Sequence, residues 1–207
     1  MGAGIGLGML AALLVFFAVL VVLGIRTDQA RPSTTSMHGT TLTTSSFTRP
    51  TPSIASSPVG SMSLQPAEVV VSSELSEDYG AERLFDGDAS TPWRDASLHG
   101  DGAVITIEFE RPETIFAVVI RGLEDDSEFH RSFRMRRFHL DPGKDGLPQE
   151  VEMPDTPEAF RVDLGGVTAE VVTIEVISTY AAGPDEVGPA TEELAVAEIE
   201  ILGEAQD

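Results

Sequence analysis

Three kinds of hydrophobic patterning divide the chain. From Met1 to Ile25 the run is almost wholly apolar and carries no charged side chain. As a helix rising about 1.5 Å per residue, some 20 such residues match the roughly 30 Å hydrocarbon core of a bilayer. The pattern predicts a transmembrane anchor over 1–26. A cleaved signal peptide would want a basic n-region, a shorter apolar core and small residues at the cut, but no Lys or Arg precedes this run and Arg26-Thr27-Asp28-Gln29-Ala30 follows it. Residues 27–67 have no sustained apolar period and are more than half Ser, Thr and Pro. That composition buries too little surface to offset the entropy of ordering, so a disordered stalk is expected, of the kind that carries O-linked sugars. As a flexible coil its r.m.s. span is roughly 35 Å.

From residue 68 onward the period changes to two. Ile105, Ile107 and Phe109 alternate with Val104, Thr106 and Glu108, and Val172, Ile174 and Val176 alternate with Thr173, Glu175 and Ile177. Alternation with β-branching predicts strands near 69–73, 103–109, 114–122, 134–140, 150–153, 159–164, 170–178 and 194–202. Asp141-Pro142-Gly143 and Gly165-Gly166 read as breaks between them, and Tyr79 to Leu84 as one helical turn. About eight short strands with almost no helical period predict an all-β, antiparallel jelly-roll sandwich over 68–207. By period two, Arg134, Arg136, Phe138 and Leu140 share one strand face and Met135, Arg137 and His139 the other.

Charge alters the picture. The net charge is −21, and only one of the 34 acids and three of the 13 basic residues lie in 1–67. The remainder therefore carries 33 acids against 10 bases, a charge of −23. Such a domain repels polyanions, which excludes nucleic acid as a main partner. Cysteine is absent, so neither disulfides nor thiolate zinc sites arise. Arg26 and Arg31 flank the anchor on its C-terminal side, and a positive-inside count alone would put the domain in the cytoplasm. The stalk composition argues for the cell exterior, and a single-pass protein with an extracytoplasmic C-terminal domain is expected.

The stretch Leu84 to Trp93 concentrates the local chemistry. Asp86-Gly87-Asp88 is a turn tripeptide that also offers hard oxygen ligands, Thr91-Pro92 ends the turn, and the only tryptophan follows. Trp93 serves either as a core plug or as a sugar platform. Its place just ahead of a strand favours the core.

The order YGAERLFDGDASTPW, AVITIEFERPETIFAVVIRGL, FRMRRFHL and LAVAEIEILG resembles a discoidin-type, galactose-binding-like domain. More narrowly it is similar to the NADase-type glycan-binding domain of membrane-anchored bacterial envelope proteins, an accessory module with no hydrolase activity. The resemblance covers roughly 68–204. It implies a sandwich whose loops at one end bind a glycan, with a structural calcium held by Asp86, Asp88, Thr91 and Glu198 and by main-chain carbonyls. The alternative is an ordinary Asx turn closed by hydrogen bonds. One departure is that the strand ending Arg121-Gly122-Leu123 carries leucine where the family tends to have an aromatic.

Five of the ten basic residues of the domain, Arg121, Arg131, Arg134, Arg136 and Arg137, fall within 17 positions. Guanidinium forks bind carboxylate or phosphate in paired hydrogen bonds, so Arg121, Arg131 and Arg134 with Phe129 and His130 form a candidate ligand site for an anionic sugar, with Tyr180 as an outlying member. Arg134 matches an arginine usual in the family. The alternative is that these arginines pair with acids such as Glu124, Asp125, Asp126 and Glu128. No histidine stands in metal-ligand spacing and no nucleophile elbow occurs. The sequence therefore predicts a non-catalytic, membrane-anchored carbohydrate-binding module, and as the alternative a protein-binding or structural ectodomain.

Overall fold

Alternation along Val104–Arg121 (β4) and Phe160–Tyr180 (β7) builds the frame of the domain. The structure, a computed structural model, describes residues 61–204. The expected anchor over 1–26 and most of the stalk lie outside the described residues. Among the described residues no helix is long and apolar enough to cross a membrane.

β4 and β7 pair antiparallel from Val104↔Glu175 to Ile120↔Phe160, and each covers two of the strands expected separately. Glu68–Val71 (β2) pairs with the first part of β4, and Glu198–Glu204 (β9) with the last part. Arg134–Asp141 (β5) extends the sheet from the C-terminal part of β7, and Gln149–Glu152 (β6) closes that edge as a hairpin with β5. Trp93–Arg94 (β3) and Ala195–Val196 (β8) form a separate two-stranded sheet. With Met62–Leu64 (β1) on β9 there are nine strands among the described residues, all antiparallel within their sheets. Ile105 and Ile107 from the first part of β4, Ile115 and Ile120 from its second part, and Ile174 of β7 share one apolar core with Phe138 and Leu140 of β5 and Ile199 and Ile201 of β9. The ribbon therefore folds over on itself into a sandwich. Each fully buried Ile or Leu stabilises it by about 1.5–3 kcal/mol.

Four expectations are corrected. β1 lies in the stretch assigned to the stalk, so folded structure begins before residue 68. Gly165 and Gly166 do not end a strand; both adopt positive φ inside β7, where Leu164 to Gly166 bulge opposite Phe116. Between the strands expected at 114–122 and 134–140, where no helical period stands out, lies a short helix, Asp126–Arg131 (α1), capped by Asp125, whose carboxylate accepts the Glu128 N–H at 2.8 Å. Period two also fails in β5. Register shifts between Met135 and Phe138 turn Met135 inward with Phe138 and leave Arg136 exposed.

The register sets the two ends of the described domain. β4 ends at Arg121 opposite Glu198, at the start of β9, whereas Glu204 pairs with Thr114 and Gly203 with Met62. Residue 61 and residue 204 thus sit at one end. Loops 86–92, 122–133, 153–159 and 181–194 gather at the other.

Candidate functional site

Three of the four loops meet around Arg134. Its guanidinium forms a two-pronged pair with Asp155, Nε to Oδ1 at 2.7 Å and Nη2 to Oδ2 at 3.0 Å. Nη1 donates to the carbonyls of Ser132, Phe129 and His130 at 2.7, 3.2 and 3.3 Å, and Nη2 to that of Ala181 at 3.3 Å. The group also lies 4.9 Å from the Phe129 ring centroid. One buried cation thereby ties 122–133, 153–159 and 181–194 together. Its donors are spent inward.

The other candidate ligand residues divide. Phe129 is buried with Leu123, Ala195 and Ala197, so both Phe129 and Leu123 support the loop from beneath. Tyr180 donates its hydroxyl to the Met153 carbonyl at 2.9 Å and lies under Arg136. His130 is exposed and faces Asp126 at 3.4 Å. Arg131 pairs with Asp185 at 3.7 Å, while Asp185 accepts from the Ser127 hydroxyl and from the N–H groups of Val187 and Gly188. Those bonds, Ser127 foremost, hold the Asp185 carboxyl below the usual range. Arg136 and Arg137 pair with Glu152 and Glu150 on β6. Arg121 has no ion pair within 4 Å among the described residues, and it borders a small cleft lined by Gly122, Phe129, Asp155 and Thr156. The basic island thus largely pairs with acids, mostly ones other than the four expected.

The turn at Asp86 meets the same end. Asp86 Oδ1 accepts the Asp88 N–H at 2.8 Å, and the Thr91 hydroxyl lies 2.7 Å from Asp86 Oδ2 and 2.8 Å from the Asp88 carbonyl. Glu198 Oε2 accepts the Gly87 N–H at 3.2 Å across 111 residues of sequence. Burial first, and the Asp86 charge second, push Glu198 up to about 7. The Asp88 carboxylate turns instead to the Ser90 N–H and hydroxyl, and these bonds lower its pKa. Among the described residues no three acidic or imidazole side chains converge as a metal-ligating group. The oxygen set of Asp86, Thr91, Glu198 and the Asp88 carbonyl nevertheless suits calcium, which accepts hydroxyl and carbonyl oxygens alongside carboxylates. Trp93 is fully buried, with its indole N–H on the Ser73 carbonyl at 3.1 Å.

Sequence reasoning missed Arg94, Ser132, Asp155 and Asp185. Asp155 and Asp185 stand in loops where no period singles out an acid. Arg94 follows the buried tryptophan on a strand of only two residues, too short to show alternation.

No protein-family model matches the chain, and no curated protein does. Among solved structures, the family 32 carbohydrate-binding module of C. perfringens NanJ, in complex with galactose, superposes with a TM-score of 0.51 at 13% identity, over 65% of this chain and 92% of that one. The F5/8 type C domain of a Bacteroides fragilis protein gives 0.51 at 13% identity, over 72% and 100%. A truncated AlyQ with family 32 module and alginate lyase domains gives 0.50 at 17% identity, over 71% of this chain and 34% of that one. The described domain has the discoidin-like fold of these structures. These structures do not confirm the narrower NADase-type resemblance.

Proposed function

We propose that this domain is a non-catalytic carbohydrate-binding module that takes a neutral glycan on its loop-bearing end. The observation that carries the reading is the convergence of three loops on one buried arginine, on a fold shared with a galactose-bound module. Arg121, His130 and the outer edge of the Arg131–Asp185 pair are the groups placed to meet hydroxyls there. An anionic sugar finds less support than the arginine count implied, because Arg134 has no free fork and the surrounding acids outnumber the bases. The apolar run at the N-terminus and the Ser/Thr/Pro stretch support a membrane anchor and a stalk outside the cell. Residue 61 lies at the pole opposite the loops, an arrangement that suits presentation of the loops away from a tether.

Asp86, Thr91, Glu198 and turn carbonyls would hold calcium, with Asp88 contributing through its main chain; when bound, the ion would balance the Asp86 and Glu198 charges and stiffen the turn. Calcium is expected to raise the melting temperature and EDTA to lower it. Equal melts in both would rule the ion out.

The test of function is a glycan array probed with the full chain in detergent. Binding that Arg121→Ala abolishes while the melt is unchanged supports the reading; an array without signal opposes it. Leu98 and Val187, 67% and 72% exposed beside and within loop 181–194, favour the second reading, a protein-binding ectodomain.

A further inference from the structure

Ser132 is held at both of its polar ends. Its hydroxyl accepts from Arg94 Nη1 at 3.0 Å, and its carbonyl accepts from Arg134 Nη1 at 2.7 Å. It also closes α1, donating its N–H to the Glu128 carbonyl at 3.1 Å, and is 1% exposed. Arg94 is itself buried, with Nη2 3.4 Å from Glu128 Oε2 and its guanidinium 5.3 Å from the centroid of the Tyr79 ring. Arg94 therefore reaches from β3 across 38 residues of sequence to both the body and the end of α1. It does not line the cleft beside Arg121.

A helix of six residues cannot hold itself in water, because nucleation outweighs so few bonds. The segment also carries Glu124, Asp125, Asp126 and Glu128, whose charges repel one another. A fixed cation beneath it supplies both the missing anchor and the balancing charge. Arg134 grips the same turn through main-chain carbonyls that any sequence would offer, and through the Phe129 ring. Arg94 instead engages polar side chains of the loop, Glu128 and Ser132.

We propose that Arg94 is a positioning residue for the glycan site: it touches no ligand, and holds 122–133 in the shape that presents His130 and Arg131. The inference rests on the glycan-binding reading for its purpose but not for its geometry. A preformed loop binds more tightly because the ordering cost is met before the ligand arrives.

The experiment uses the full chain in detergent with Arg94→Met, Arg94→Lys and Ser132→Ala, and free galactose as the probe. Amide hydrogen exchange is followed at 124–133 and in the core strands β4 and β7, beside calorimetric galactose affinity. Arg94→Met is expected to speed exchange by about tenfold at 124–133 alone and to weaken galactose about fivefold. Arg94→Lys should recover part of both, since an ammonium reaches Glu128 without the second prong for Ser132. Ser132→Ala should show the smaller half of the effect. Unchanged exchange at 124–133 overturns the proposal. So does faster exchange throughout with galactose affinity per folded molecule intact, which is the signature of a plain stability role. Should Arg94→Met fail to fold, the lysine and Ser132 variants decide by the same criteria. If the unmodified chain does not bind galactose, galactose is not its ligand, and the exchange pattern alone judges Arg94.

Discussion

Arg134 has five N–H donors, and the fold occupies all of them with Asp155 and four main-chain carbonyls. Arg134→Met is therefore expected to destabilise the domain by about 3 kcal/mol, toward the low end for a broken buried pair because Asp155 remains partly solvated. Urea denaturation measures it; a loss below about 0.5 kcal/mol, the scale of an ordinary surface change, would show that the pairing is not sustained in solution. Glu198 makes a second prediction. Its pKa in the fold, about 7, stands above the ordinary 4.5, so the folded chain retains a proton that the unfolded chain has released. The stabilisation is complete below about 4.5 and is lost as pH rises through 7. In EDTA the melting temperature should fall between pH 5 and 7.5 by this contribution. Glu198→Gln, which keeps an acceptor for the Gly87 N–H without the charge, should flatten the slope. An identical slope in that variant would assign it to other groups.

At the scale of elements, β7 is two expected strands joined by a strained bulge. Gly166 has φ +88°, and a Cβ there would stand 3.3 Å from the Phe116 ring. Gly166→Ala should cost about 1–2 kcal/mol through the left-handed backbone, with a further amount for displacing that ring. Gly165, also at positive φ but facing open space, should show the backbone cost alone. Comparing the two denaturation midpoints separates strain from crowding; equal losses would mean that the ring yields freely. The same bulge explains why Gly165-Gly166 reads as a break in the sequence: local propensity records the turn, whereas pairing with β4 on both sides carries the strand through it. In β5 the register shifts after Met135 work in reverse, hiding an irregularity inside a run that looks regular.

For the whole molecule the governing quantity is charge. Ion pairs engage most of the ten basic residues after residue 67, yet the 33 acids leave a large excess of like charge. Self-repulsion then opposes folding more than the exposed pairs assist it. Raising NaCl from 0.1 to 1 M shortens the screening length from about 10 to 3 Å. The melting temperature should rise by several degrees as it does so, whereas a fall would show that the pairs outweigh the repulsion.

The sequence by itself determined the all-β class, the sites of most strands and the burial of Trp93, because period-two alternation and β-branching are local consequences of a sheet with one dry face. It also marked Asp86, Asp88, Thr91 and Glu198 as candidates for one oxygen-rich corner, through a resemblance rather than through their spacing, and of these the Asp88 carboxylate turns away to Ser90. Only the tertiary structure decided that Gly87 and Glu198 meet, that Arg134 is spent on loop carbonyls, and that Arg94 reaches Ser132. Those contacts span from a few residues to 111 and depend on the fold-over of the β4–β7 ribbon. An arginine carries the same charge in every context; where its donors point is fixed by chain segments that no local pattern brings together.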